Sequence, residues 1–215
     1  MLKNWGSIWL ICLTTLGSLS AQKLKLPSGS QVAVEFQQGN TLRHRETMVF
    51  ALPRPARAYS LDIAREMDGS RAWHRRYGYP RVGFSAWMQD FGNQAVLGRS
   101  WSIHPFIDFN IWTIRDFRFR FRLAYGLTWI DQIHHPDTNP ENNAIGSHIN
   151  NVTSLGLLAE YWIAQRLIIR SGATLSHNSN GRLSVPNLGL NTAKLRVGVG
   201  YMLRPAERLT SQREA

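Results

Sequence analysis

The clearest signal along this chain is alternation. Residues 118–129 place Phe119, Phe121, Leu123, Tyr125, Leu127 and Trp129 on one face of an extended strand, and Arg118, Arg120, Arg122, Ala124, Gly126 and Thr128 on the other. Residues 101–113 repeat the pattern, with Trp101, Ile103, Pro105, Ile107, Phe109 and Ile111 opposite Ser102, His104, Phe106, Asp108 and Asn110. Leu195, Val197, Val199, Tyr201 and Leu203 alternate with Arg196, Gly198, Gly200, Met202 and Arg204, and residues 154–163 alternate less cleanly. Weaker segments at residues 32–38, 58–67 and 79–89, together with residues 167–179, bring the predicted strands to eight. Turn-forming pieces at Gly39-Asn40, Asp68-Gly69-Ser70 and Asp90-Phe91-Gly92-Asn93 separate them, with a tight connection at Ala164-Gln165 and a long polar loop over residues 134–147.

Strands with one aliphatic and aromatic face and one polar or glycine face predict an all-β fold, an eight-stranded antiparallel transmembrane β-barrel over residues 22–204. A soluble barrel, the ligand-binding alternative, has its apolar residues inside. The aromatic weight of the apolar face favours the membrane, and Trp101 and Trp129 near strand ends fit an interface girdle. The arginines at 118, 120, 122, 170 and 196 then point inward and require partners such as Asp108 and Glu160. Such an interior is a filled plug, to which His104 also belongs.

The termini place this barrel in a secreted protein. Residues 1–21 read as a signal peptide, with Lys3 before an apolar stretch too short to span a bilayer and a small-residue exit at Ser18-Leu19-Ser20-Ala21. Residues 205–215 read as a polar C-terminal tail. The only cysteine, Cys12, lies within the signal, so the mature chain has neither thiol nor disulfide. Loss of Lys3 lowers the net charge from +11 to +10. A basic surface favours anionic partners; secretion and the lack of any nucleic-acid-binding motif exclude DNA and RNA and leave phosphorylated lipid. His74 with Arg75 and Arg76 is a charged loop able to touch lipid phosphate. His134-His135 with Asp137 does not make a metal site, because adjacent histidines on a strand point oppositely.

Parity singles out one polar pair. Within residues 167–179, His177 and Ser179 fall on the same face as Leu175, the face predicted to meet lipid. A histidine at that position is costly and points to work on a membrane-embedded molecule. Backbones two residues apart lie roughly 6–7 Å from one another, so the side chains can lean together. A serine activated by a histidine base performs acyl transfer, and Asn180 with the backbone amides near Gly181 would receive the oxyanion. Such chemistry needs no cofactor and no metal. The histidine also needs a group that fixes its tautomer. Between Glu160 and Glu207 there is no acid, which leaves Asn191 or a distant carboxylate such as Glu141 or Asp137.

The residues His177-x-Ser179-Asn180, Pro186-Asn187-x-Gly189, the alternating strand that follows and the segment at residues 142–148 together resemble the lipid A deacylase family of PagL-type outer-membrane barrels, including its acyloxyacyl hydrolase-type relatives. The resemblance implies an eight-stranded barrel in the outer membrane of a Gram-negative bacterium that hydrolyses an ester-linked acyl chain of lipid A in lipopolysaccharide. It implies His177 as base, Ser179 as nucleophile and Asn180 as an oxyanion residue, and it sets Asn191 at the position of the family's acid. A non-catalytic barrel with a structural or lipid-binding role is the alternative function.

Overall fold

The computed structural model describes residues 26–205. The expected signal peptide, with Cys12, and the tail beyond Pro205 lie outside the described residues. Eight strands follow one another: β1 Ser30–Leu42, β2 Ala56–Glu66, β3 Arg81–Asp90, β4 Arg99–Ile114, β5 Phe117–Ile130, β6 Ile149–Trp162, β7 Leu167–Ser179 and β8 Leu190–Met202. Each pairs antiparallel with the next, and β8 returns to β1, so the sheet closes with no free edge. One short helix, α1 Ala72–Arg76, interrupts the connection between β2 and β3.

The period of two sets which residues face lipid and which face the interior. Ile103 and Leu127 are 66% exposed and Leu195 is 72% exposed, which would be untenable in water over a whole barrel surface but is the requirement for an apolar belt in a bilayer. Aromatic pairs mark its two rims. Trp101 and Trp129 pair across β4 and β5 with tilted rings whose centroids are 5.4 Å apart, and Trp112 stacks on Phe119 at the other end.

Inside, the inward arginines meet more carboxylates than the two expected. Arg81 lies 2.6 Å from both Asp108 and Glu160, and Arg122 bridges Asp108 at 2.6 Å and Asp62 at 2.8 Å. Arg120 joins Glu66 to Glu160, Arg170 contacts Glu35, Asp62 and Glu160, and Arg196 pairs with Glu35. These arginines and acids come from different strands and are almost fully buried. An unpaired charge there would cost several kcal/mol, so the network fills the lumen by mutual neutralisation. Arg118 instead lies over the Trp162 ring. His104 is fully buried edge-on to Trp87, and neither ring nitrogen is hydrogen-bonded, so it joins the plug by packing.

Two turn expectations change. Gly39 and Asn40 do not break a strand: β1 runs through them to Leu42, because Gly39 is paired with Ala56 on one side and Lys194 on the other. The long loop read as polar buries Ala144 and Ile145, which join Met48, Phe50, Phe91, Leu97, Ile130 and Leu190 in an apolar cap over one end of the barrel.

That capped end carries the connections 43–55, 91–98, 131–148 and 180–189, including the longest loop. At the opposite end lie the short links 115–116 and 163–166 and the loop bearing α1, beside the start of β1 and the finish of β8. Long loops mark the extracellular side of bacterial barrels and short turns the periplasmic side, so the capped end faces outward and lies against the outer leaflet.

Candidate active site

His177 and Ser179 stand at the outer end of β7, on the lipid-facing side. Leu175, below them on the same face, is 49% exposed, whereas Ser176 and Asn178 between them are buried inside. Directly opposite His177 on β8 is Asn191. Its Oδ1 lies 2.6 Å from His177 Nδ1. An amide oxygen only accepts, so Nδ1 carries the ring proton and Nε2 keeps its lone pair, the tautomer a general base requires. The two carboxylates considered from sequence, Asp137 and Glu141, are exposed in the 131–148 loop, and neither bonds His177.

Ser179 is turned the other way. Its Oγ accepts from Asn187 Nδ2 at 3.0 Å and from the Gly181 N–H at 3.2 Å, and lies 3.3 Å from Asn187 Oδ1. Among the described residues no hydrogen bond joins it to His177. A rotation about the serine χ1 would aim Oγ toward the imidazole, which is one strand residue pair away.

Asn180 has a bracing role in this geometry. Its Nδ2 donates to Ser147 Oγ at 2.9 Å and to the Ser184 carbonyl at 3.0 Å, and its Oδ1 accepts from the Arg182 N–H at 2.9 Å. Both side-chain donors are therefore taken, and the backbone N–H of Asn180 donates to Asn187 Oδ1 at 3.3 Å. Gly181, in the left-handed region at φ 64°, has nothing within 4 Å of where a Cβ would sit, and this turn aims its N–H at Ser179 Oγ.

The hairpin 180–189 is held from two sides. The 131–148 loop contributes Ser147 to Asn180, accepts from Ser184 Oγ through the Gly146 carbonyl at 2.8 Å and accepts from the Gly189 N–H through Ala144 O at 3.0 Å. From the 43–55 connection, His44 Nε2 lies 3.0 Å from Leu188 O. Gly189 fixes the histidine: at φ 76° it packs so close that a Cβ would stand 2.6 Å from His177 Cε1.

Below the pair, the barrel surface is hollowed. A groove of about 620 Å³ runs across β5, β6, β7, β8 and β1, with Ala173, Ala193, Gly156 and Gly39 in its floor and Phe121, Leu155, Leu157, Leu175 and Leu195 in its walls. Its small residues let an extended hydrocarbon chain lie against the strands. Sequence reasoning missed two contributors. Asn187 was named only within the Pro186-Asn187-x-Gly189 stretch of the resemblance and given no role, although it bonds the serine, and Ser147 carried no signal beyond its place in the 142–148 segment. The basic α1 segment is excluded from the site altogether, since it sits at the periplasmic end, where His74 Nδ1 lies 3.2 Å from Asp68.

The crystal structure of the outer membrane enzyme PagL is similar over 80% of this chain and 99% of its own, with a TM-score of 0.54 at 17% identity. Neisserial surface protein A is similar over 82% of this chain and 98% of its own, with TM-score 0.49 and 14% identity. Ail, the attachment invasion locus protein of Yersinia pestis, covers 81% and 99%, with TM-score 0.44 and 11% identity. No curated protein matches by sequence. A profile of the lipid A 3-O-deacylase family, PagL, matches residues 57–200, two thirds of the chain, which spans strands β2 to β8 with His177, Ser179 and Asn191. The chain belongs to the PagL family of lipid A 3-O-deacylases.

Proposed function

We propose that this outer-membrane lipid A deacylase cleaves the ester at position 3 of a lipid A glucosamine with Ser179 as nucleophile, His177 as base and Asn191 as the orienting residue. The observation that carries the reading is the 2.6 Å His177–Asn191 pair, set on the lipid-facing side at the outer-leaflet end of the barrel. The groove directly beneath it supports the same reading, because an acyl chain lying along Ala173 and Ala193 brings its ester to the level of Ser179.

In this mechanism Ser179 rotates from Asn187 toward His177, which takes its proton at Nε2 as Oγ attacks the ester carbonyl. The oxyanion is received by the Gly181 backbone amide and Asn187 Nδ2, which donate to Ser179 Oγ at rest and are released as the serine rotates, and by the Asn180 backbone amide as it leaves Asn187 Oδ1. His177 then protonates the departing sugar oxygen, and water, activated by the same ring, releases the fatty acid. Asn191 holds the tautomer throughout but brings no charge to the imidazolium. Lipid A from cells expressing the intact protein should lack one ester-linked acyl chain by mass spectrometry, and lipid A from cells expressing Ser179→Ala should retain it. Identical acylation in the two would refute the assignment.

A further inference from the structure

Charge pairing among the described residues divides the molecule. The ion pairs seen lie inside the barrel, as with Arg81–Asp108, Arg122–Asp108 and Arg196–Glu35, and at the periplasmic end in the Arg65–Asp68–His74 group. Among the described residues no guanidinium of the extracellular end is ion-paired; Arg99 meets the Asp131 carboxylate there only through its backbone N–H. Arg43 and Arg45, just beyond the end of β1, are exposed; with His44, Glu46 and Met48 they line a depression of about 530 Å³. Glu46 leaves the segment with a net positive charge.

The depression is tied to the catalytic hairpin. Leu42, the residue before Arg43, pairs with Asn191 across β1 and β8, and His44 is bonded to Leu188 O. Arg43 is anchored by donating to Phe50 O at 2.8 Å, while the Arg45 side chain has no partner among the described residues. Strands lie about 4.8 Å apart, so the basic segment begins roughly 10 Å from His177, about the span of one to two sugar rings.

We propose that Arg43 and Arg45 form a phosphate subsite that holds an anionic headgroup of the glycolipid while its ester lies at Ser179. Guanidinium groups suit phosphate because their planar fork donates two parallel hydrogen bonds. The position is also the right one, in water above the apolar belt, where a charged headgroup remains when its acyl chain enters the groove. The subsite rests on the hydrolase reading for its substrate, and the test separates the two.

In a Ser179→Ala background, full-length protein in detergent micelles is titrated with bisphosphorylated lipid A and with the same lipid A stripped of phosphate, read by intrinsic tryptophan fluorescence. The phosphorylated form should bind about tenfold tighter. Arg43→Gln with Arg45→Gln should abolish that preference while leaving the phosphate-free affinity unchanged, the paired lysine variant should retain most of it, and Glu46→Gln should enlarge it. Heat-modifiable migration confirms that each variant is folded. Equal binding of the two lipids, an undiminished preference in the glutamine variant, or equal competition by inorganic phosphate and lipid would overturn the headgroup subsite. Fatty-acid release by the Ser179 protein is measured in parallel. Phosphate preference without release would sink the hydrolase and leave the subsite standing; release without preference would do the reverse.

Discussion

The two faces of the β7–β8 pair are separated by one residue in each strand, yet they solve opposite problems. Facing inward, Ser176 Oγ lies 2.7 Å from Thr192 Oγ1, and Lys194 donates to Thr192 at 2.9 Å, to Ser176 at 3.3 Å and to Gln89. Facing outward, His177 meets Asn191, an amide that carries no charge. The interior tolerates ions because opposite charges and oxygens surround each one. The exterior borders hydrocarbon, where a carboxylate would be poorly solvated, and an amide at residue 191 fixes the imidazole without that cost. The inward pair therefore serves stability, and the outward pair is the one to which the proposed mechanism assigns chemistry.

Substitutions on the two faces should separate cleanly. The largest effect belongs to Ser179→Ala, which should lower deacylation by about 10³-fold or more with little change in unfolding free energy; adding His177→Ala should cost almost nothing further, because the two act as a unit. Glu160→Gln should do the opposite. It leaves Arg81 and Arg120 short of a charge inside the barrel and should destabilise by about 3 kcal/mol in urea unfolding from micelles, with kcat near that of the unmodified protein. Gly189→Ala should push the His177 ring from its place and lower kcat by about 100-fold, a loss of about 2.7 kcal/mol in transition-state stabilisation. A folded Gly189→Ala protein with full activity would break the claim that this glycine seats the base. Asn191→Glu sharpens the comparison most directly: a carboxylate stabilises the imidazolium, so kcat should rise about tenfold while the folded barrel loses some stability. The smallest effect is expected for Thr192→Val, about 1 kcal/mol of stability and no change in rate.

The sequence by itself determined the barrel, because a strand's faces are a local property. The parity of residues 118–129 and 167–179 fixes which side chains meet lipid, and the same count put His177 and Ser179 outside. Parity also foresaw that Arg120, Arg122, Arg170 and Arg196 turn inward. It could not say which acids meet them, and Glu35, Asp62 and Glu66 entered the network only through register across strands far apart in the chain. Gly39-Asn40 was misread for the same reason: a local turn signal gave way to pairing on both sides.

At the site, composition alone left the orienting group open between Asn191 and a loop carboxylate. The family resemblance pointed to Asn191, but only the register of β7 on β8 sets Asn191 opposite His177. Asn187 behind the serine, Ser147 behind Asn180 and Gly189 against the imidazole are likewise products of loop packing, which no period along a single strand encodes. What the sequence determined was the direction of each side chain, set by bonds within the strand. What the tertiary structure decided was which directions converge, since that depends on closing the barrel and folding its outer loops onto one another.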